Sequence, residues 1–292
     1  MPIDANLPTN QTPTGLWLSA GRRLARNPAA VCGIIFLAVQ VTAAIFADYI
    51  APFSVEETDL LTGAVPPDSV HWLGTDELGR DLFSRMLFGS RISLAVGFVA
   101  TAISTIIGTL YGSISGYIGG RTDAIMMRIL DVLYTIPFIF FVIILMVLFG
   151  KNIYLMFLAL GAIQWLTMAR IVRGQVLGIK NSEYVEAAKS LGIKGSRIIV
   201  HHILPNCLGP IIVFSTLTIP SVILEEAFLS FLGLGVQEPM SSWGTLISDG
   251  VVAMETYPWM MIFPATNLVV SLLALNFLGD GLRDALDPKA VS

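Results

Sequence analysis

Residues 92–117 read ISLAVGFVATAISTIIGTLYGSISGY, without one Asp, Glu, Lys or Arg. About 20 apolar residues in a helix suffice to cross the hydrocarbon core of a bilayer. This stretch exceeds that length, so it reads as a tilted membrane helix. Working outward, five more runs have the same character: 29–47, 132–149 with Pro137, 153–169, 208–224 with Pro220, and 260–278 with Pro264. The fifth of the six can continue through Phe231. Barrel strands alternate over about ten residues, and these runs do not alternate. The expected fold is therefore all-α, a polytopic membrane protein with six transmembrane helices.

Composition agrees. Of 292 residues, 54% are hydrophobic and 13% are charged, against about 25% charged in soluble domains. So little charge cannot cover a soluble globule, and so apolar a chain is not intrinsically disordered. A net charge of -4 makes no case for nucleic acid as a partner. Cys32 and Cys207 cannot build a disulfide framework and read as small buried hydrophobes. The run 29–47 follows a polar leader and is too long for a signal-peptide core.

The basic residues orient the bundle. With the N-terminus inside, inner segments hold Arg22, Arg23, Arg26, Arg121, Arg128, six residues between Arg170 and Arg197, Arg283 and Lys289. Outer segments hold Arg80, Arg85, Arg91 and Lys151. The positive-inside rule then places both termini in the cytoplasm. The expected organisation is a cytoplasmic segment 1–28, a first membrane helix in 29–51, an extracytoplasmic loop 52–91, a membrane core 92–279 and a cytoplasmic tail 280–292. Residues 1–20, rich in Pro, Thr and Asn, read as irregular.

Two segments outside the spans have helical patterning. In GTDELGRDLFSRMLFGSR (74–91), Thr75 is a cap candidate, Leu78, Leu82 and Met86 form a stripe, and Asp81 with Arg85 makes an i, i+4 pair. That is an amphipathic helix on the outer interface, either a lid or docking surface over a pore or a plain interfacial helix. In EYVEAAKSLGIKGSRIIVHHILPN (183–206), Asn181 or Ser182 caps a helix whose first turn holds Glu183 and Glu186. Tyr184, Ala187, Ala188 and Leu191 share one face. Gly192 ends the helix at C′, Gly195 and Ser196 begin a second one, and Pro205 closes that. So short a helix is marginal alone. Its narrow, alanine-centred face fits either a partner's groove or this protein's own surface.

Energy-converting and catalytic chemistry is missing from the sequence. Gly150-Lys151-Asn152 lacks the leading Gly and the Ser/Thr of a phosphate-binding loop. His71, His201 and His202 have no metal-ligand spacing, and neither a nucleophile elbow nor a zinc-protease motif occurs. Asp131, Arg170, Glu225 and Glu226 are the intramembrane polar candidates. Such groups by default face the bundle interior or pair with one another. Asp131 and Arg170 stand near span ends, where snorkelling to the interface is the simpler reading. Glu225 and Glu226 read as paired in the interior or at an interface.

The segment 183–206 resembles the EAA loop of ABC importer permeases: Glu186-Ala187-Ala188, then Gly192, then Leu204-Pro205. The family has Ile two residues before that Leu, where this chain has His202. HWLGTDELGRDLFSRMLFGSRISL (71–94), LSFLGLGVQEPMSSWGTLISDG (229–250) and NFLGDGLRDALDPK (276–289) narrow the resemblance to C-type permeases of oligopeptide, dipeptide and nickel importers. The segments 112–131 and 168–175 look most like the oligopeptide branch.

The resemblance implies a type I ABC importer permease fold in a bacterial inner membrane. It also implies a non-catalytic subunit that carries oligopeptides, or in related systems dipeptides, glutathione or nickel. Implied partners are a homologous B-type permease, two ATPase subunits and an extracytoplasmic peptide-binding protein docked on loops 52–91 and 234–258. ATP and Mg would be bound by the ATPases, with no cofactor in this chain. Tyr184, Glu186, Ala187, Ala188, Leu191, Gly192, Leu204 and Pro205 would form the ATPase-coupling site, and the solute pathway is expected to be broadly apolar. The rival reading, a secondary transporter driven by an ion gradient, calls for inverted repeats. No convincing repeat relates 29–150 to 153–279.

Overall fold

The computed structural model describes residues 13–287 of the protein. Most of the leader read as irregular, and Lys289, lie outside that range. Residues 13–20, however, fall in a helix, α1 (Pro13–Leu24), which correct the irregular reading there. Leu, Ala and Arg are good helix formers, and Arg23 donates to the carbonyls of Ala285 and Asp287, both at 3.5 Å.

The described residues are mostly helical and hold no β-strand. After α1 come α2 (Pro28–Ile45), a single turn α3 (Ala47–Ile50), α4 (Leu82–Ile118), α5 (Gly120–Tyr134), α6 (Phe138–Phe149), α7 (Ile153–Ile179), α8 (Glu183–Ser190) and α9 (Gly195–Ile198). Then follow α10 (Leu204–Phe231), α11 (Trp243–Val252) and α12 (Trp259–Leu286). Asn27 caps α2 through its side chain, with Pro28 at N1, where a missing N–H does no harm.

Five helices, with α9 and α10 joined as one, are long and apolar enough to cross a membrane. The expected third span is not one helix. It breaks at Thr135–Pro137, and α5 and α6 meet at a bend of 77°. Pro137 explains this, because proline disfavours helix at the preceding residue and lacks an N–H donor. The 12 residues of α6 reach only ~18 Å at 1.5 Å per residue.

The bent pair still carries the chain across. Helices α4 and α7 run parallel: Gly161 lies against Ala100 and Ile103, Gly108 against Met168, Gly112 against Ala169 and Gly116 against Val176. The chain that leaves the end of α4 must therefore return to the starting level of α7. Helices α2 and α12 run antiparallel, with Gly33 on Ala274 and Ala30 on Gly281. The bundle thus has six crossings, and Arg23 and Asp287 lie at the same end of it.

Glycines set the closest contact. Gly108, Gly112 and Gly116 recur every four residues along α4 and let it touch α7 backbone to backbone, the small-xxx-small packing of membrane helices. A Cβ at Gly112 would stand 2.3 Å from the carbonyl oxygen of Ala169.

The outer segment corrects another expectation. Thr75 does not cap a helix. Residues 74–81 form a turn with Gly79 at φ 73°, and Asp81 caps α4 by accepting from the Ser84 amide at 2.8 Å. From there α4 runs 37 residues without a break. Asp81 and Arg85 are not ion partners. Asp81 contacts His71 Nδ1 at 3.0 Å, and Arg85 donates to Asp76 at 2.6 Å.

Pro205 does not close a helix either. It stands in the first turn of α10. Residues Ile199–Ile203 form one π-helical turn, and the Leu204 amide donates to Ile199. The wide turn joins α9 to α10 just before the residue that has no N–H to give. Cys207 is buried as expected, but Cys32 is exposed on the flank of α2.

Candidate functional site

The connector between α7 and α10 is built around α8. Ser182 stands at its N-cap in extended conformation, while its hydroxyl makes no cap bond. At the other end the Gly192 amide donates to the Lys189 carbonyl at 2.9 Å and the Ile193 amide to Ala188 at 3.2 Å. This is the two-bond Schellman closure, and Gly192, at φ 75°, takes the left-handed position it requires.

The two sides of α8 differ. Val185 and Ala188 are buried and join Val172 and Val176 of α7, Ile198 of α9, Ile203 and Cys207 in one apolar cluster, with Leu204 packed at its edge. Tyr184, Glu186, Ala187 and Leu191 are exposed, Leu191 to 80%. Gly192 and Pro205 are exposed as well. Ala188 therefore does not share the free face with Ala187, as the i, i+3, i+4, i+7 pattern suggested. It is 5% exposed and belongs to the bundle side. The single face read from the sequence is two faces, one docked on this protein and one open. Further ties hold the connector to the bundle end. Lys180 Nζ donates to the Gly116 carbonyl at 2.9 Å and Lys189 Nζ to the Lys180 carbonyl at 3.1 Å.

The intramembrane polar residues fall into two settings. Asp131 and Arg170 pair at 2.7 Å on the bundle exterior, with side chains 60% and 44% exposed. Arg170 also lies over the Tyr134 ring, 4.2 Å from its centre, and the Tyr134 hydroxyl bonds Thr167 Oγ1. Gln164 Nε2 donates to Glu225 at 2.7 Å, and the second oxygen of Glu225 has no partner. Glu226 is fully buried. It accepts from Ser93 Oγ at 3.1 Å and Ser230 Oγ at 2.7 Å, so the partners of this interior carboxyl are hydroxyls. It joins α4 to α10, and Ser93 also accepts from the Trp243 amide of α11 at 3.1 Å.

Sequence reading missed a further cluster at the opposite end. Asp76 accepts from Arg80 Nε at 2.7 Å, from Arg85 Nη1 at 2.6 Å and from the amides of Leu78 and Arg80. Arg80 reaches Glu238 at 2.9 Å, and Arg85 reaches Asp249 at 3.4 Å. Ser241 Oγ donates to the Arg85 carbonyl at 3.2 Å. Two of the motifs that suggested the family, 71–94 and 229–250, are thereby two sides of one buried contact. Nearby, Asp59 accepts from Thr62 Oγ1 and the Leu61 and Thr62 amides, which holds its carboxyl below the usual carboxylate range.

A sequence profile of the binding-protein-dependent transport system inner membrane component matches residues 108–292, and one for the N-terminal TM domain of oligopeptide transport permease C matches residues 15–67. The chain belongs to this transport-permease family. The oligopeptide transport system permease protein OppC of Haemophilus influenzae is 54% identical over 94% of this chain and 89% of that protein. The dipeptide transport system permease protein DppC of Bacillus subtilis is 49% identical over 92% of this chain and 85% of that protein. Among solved structures, an inward-facing MetNI methionine ABC transporter matches with TM-score 0.56 at 20% identity, covering 70% of this chain and 98% of that one. The fold is thus that of an ABC importer permease, and the chain is a multi-pass membrane subunit of such a transporter.

Proposed function

We propose that this chain is the C-type permease subunit of an ATP-driven importer of oligopeptides in a bacterial inner membrane. It works beside a homologous B-type permease, two ATPase subunits that bind ATP and Mg, and an extracytoplasmic peptide-binding protein. The chain itself holds no cofactor and catalyses no reaction.

The observation that carries this reading is the division of α8. One side is fixed to α7 and α10 through Val185 and Ala188, while Tyr184, Glu186, Ala187 and Leu191 stand free. A helix so held transmits a push from a groove on an ATPase into two spans at once. Such a push biases a two-state bundle between inward-facing and outward-facing forms. Gly192 closes the lever, and Leu204 and Pro205 lead it into α10. The basic residues at the α8 end support the reading that this end and both termini are cytoplasmic. The cluster around Asp76, Arg80 and Glu238 then supports the outer loops where the binding protein docks.

The experiment is ATP-dependent uptake of labelled peptides in proteoliposomes that hold this chain, the B-type permease and the two ATPase subunits, with the binding protein added. Uptake that follows ATP and the binding protein supports the reading, and uptake by this chain alone under an ion gradient contradicts it. The dipeptide relative at 49% identity favours one second reading, dipeptide import by the same machinery. Competition between dipeptides and longer peptides separates the two.

A further inference from the structure

The helices expose mostly apolar side chains: Ile106 and Leu110 on α4, Val147 on α6, Val269 and Leu273 on α12. One face departs from this. Along α7, Gln164, Thr167 and Arg170 follow at steps of three, and each meets a polar group of another helix: Glu225, Tyr134 and Asp131. A ~30 Å core centred on the ~40 Å of α7 spans roughly residues 156–176, so the row lies at membrane depth. Ionised groups at that depth face protein or water rather than lipid. The row also flanks the break at Thr135–Pro137, and a broken span is tolerated where backbone is covered by protein or lines a water-filled cavity.

We propose that this polar ladder lines a water-filled path for the solute. The path takes a zwitterionic chain whose ammonium end, carboxylate end and amide groups find both signs of charge and uncharged hydrogen-bonding groups along the row. Asp131 and Arg170 largely neutralise each other, so each contact is weak and the path does not discriminate side chains. This departs from the expectation of a broadly apolar pathway and keeps its weak selectivity. It rests on the transport reading above, and it assigns residues that the reading leaves open.

The test uses the whole complex in membrane vesicles, with Cys32→Ser and Cys207→Ala as the background and single substitutions Gln164→Cys and Thr167→Cys. The probe is a small maleimide, which reacts with thiolate in water. Ile106→Cys and Val147→Cys, exposed apolar positions outside the row, are the controls. The expected result is modification at 164 and 167 in the nucleotide-free or the ATP-trapped state. It should be slowed several-fold by saturating peptide, with the controls unreacted. No modification at 164 and 167 in either state while import persists overturns the ladder, as does a rate that peptide leaves unchanged. Failure of the unsubstituted complex to import peptide overturns the transport reading instead, and it is read in a separate assay.

Discussion

Ala187 and Ala188 are neighbours in the chain but differ in burial: Ala187 is exposed, whereas Ala188 is buried against Val185 and the ends of α7 and α10. A bulky residue therefore has different effects at the two positions. Ala187→Trp leaves membrane insertion and thermal stability unchanged and abolishes ATP-driven uptake. Ala188→Trp overpacks the cluster and lowers stability by about 1–3 kcal/mol, so its loss of uptake comes with a lower Tm in detergent. Equal Tm values for the two variants contradict the assignment of faces.

Gly192→Ala tests the closure of α8. A residue with a Cβ in the left-handed region costs about 1–2 kcal/mol. The Gly192 and Ile193 amides then exchange faster with deuterium, and coupling weakens while the spans keep their protection.

Asp76→Ala removes the carboxylate shared by Arg80 and Arg85. Arg85 is buried, and stripping one partner from a buried ion pair costs about 3–5 kcal/mol. The Tm should fall further than for Asp131→Ala, whose exposed pair stabilises the chain by about 1 kcal/mol or less. A similar fall in both variants contradicts the burial of the outer cluster.

Gly112→Leu separates α4 from α7, because its Cβ meets the Ala169 carbonyl oxygen at 2.3 Å. The variant should be destabilised by at least about 1–3 kcal/mol, whereas Gly174→Leu on an open surface of α7 should be near neutral. Membrane levels and detergent Tm measure both.

The spans were legible because uninterrupted apolar runs have one physical use in a chain of this length. Their internal geometry was not. Hydropathy over 132–149 is insensitive to direction, so the bend at Pro137 left no mark beyond the proline itself. In 74–91 both Thr75 and Asp81 are cap residues. The choice fell to Asp81 because Asp76 turns the chain by accepting the Leu78 and Arg80 amides. Its other partner, Arg85, in turn reaches an acid 164 positions along the chain. No local pattern carries such a contact. On α8 the apolar pattern gave the correct helix and its correct end, but alanine suits either environment. Only the location of Val172, Val176 and Ile203 decides which alanine is buried.

The central claim is that the free face of α8 is gripped by an ATPase. Its most direct measurement is site-specific crosslinking in intact cells from Ala187→Cys and Leu191→Cys, with a reagent of short span. Capture of a nucleotide-hydrolysing subunit from both positions, with a yield that changes when ATP is trapped, is the predicted result. Capture of no such subunit from either position, in cells that still import peptide, would contradict it.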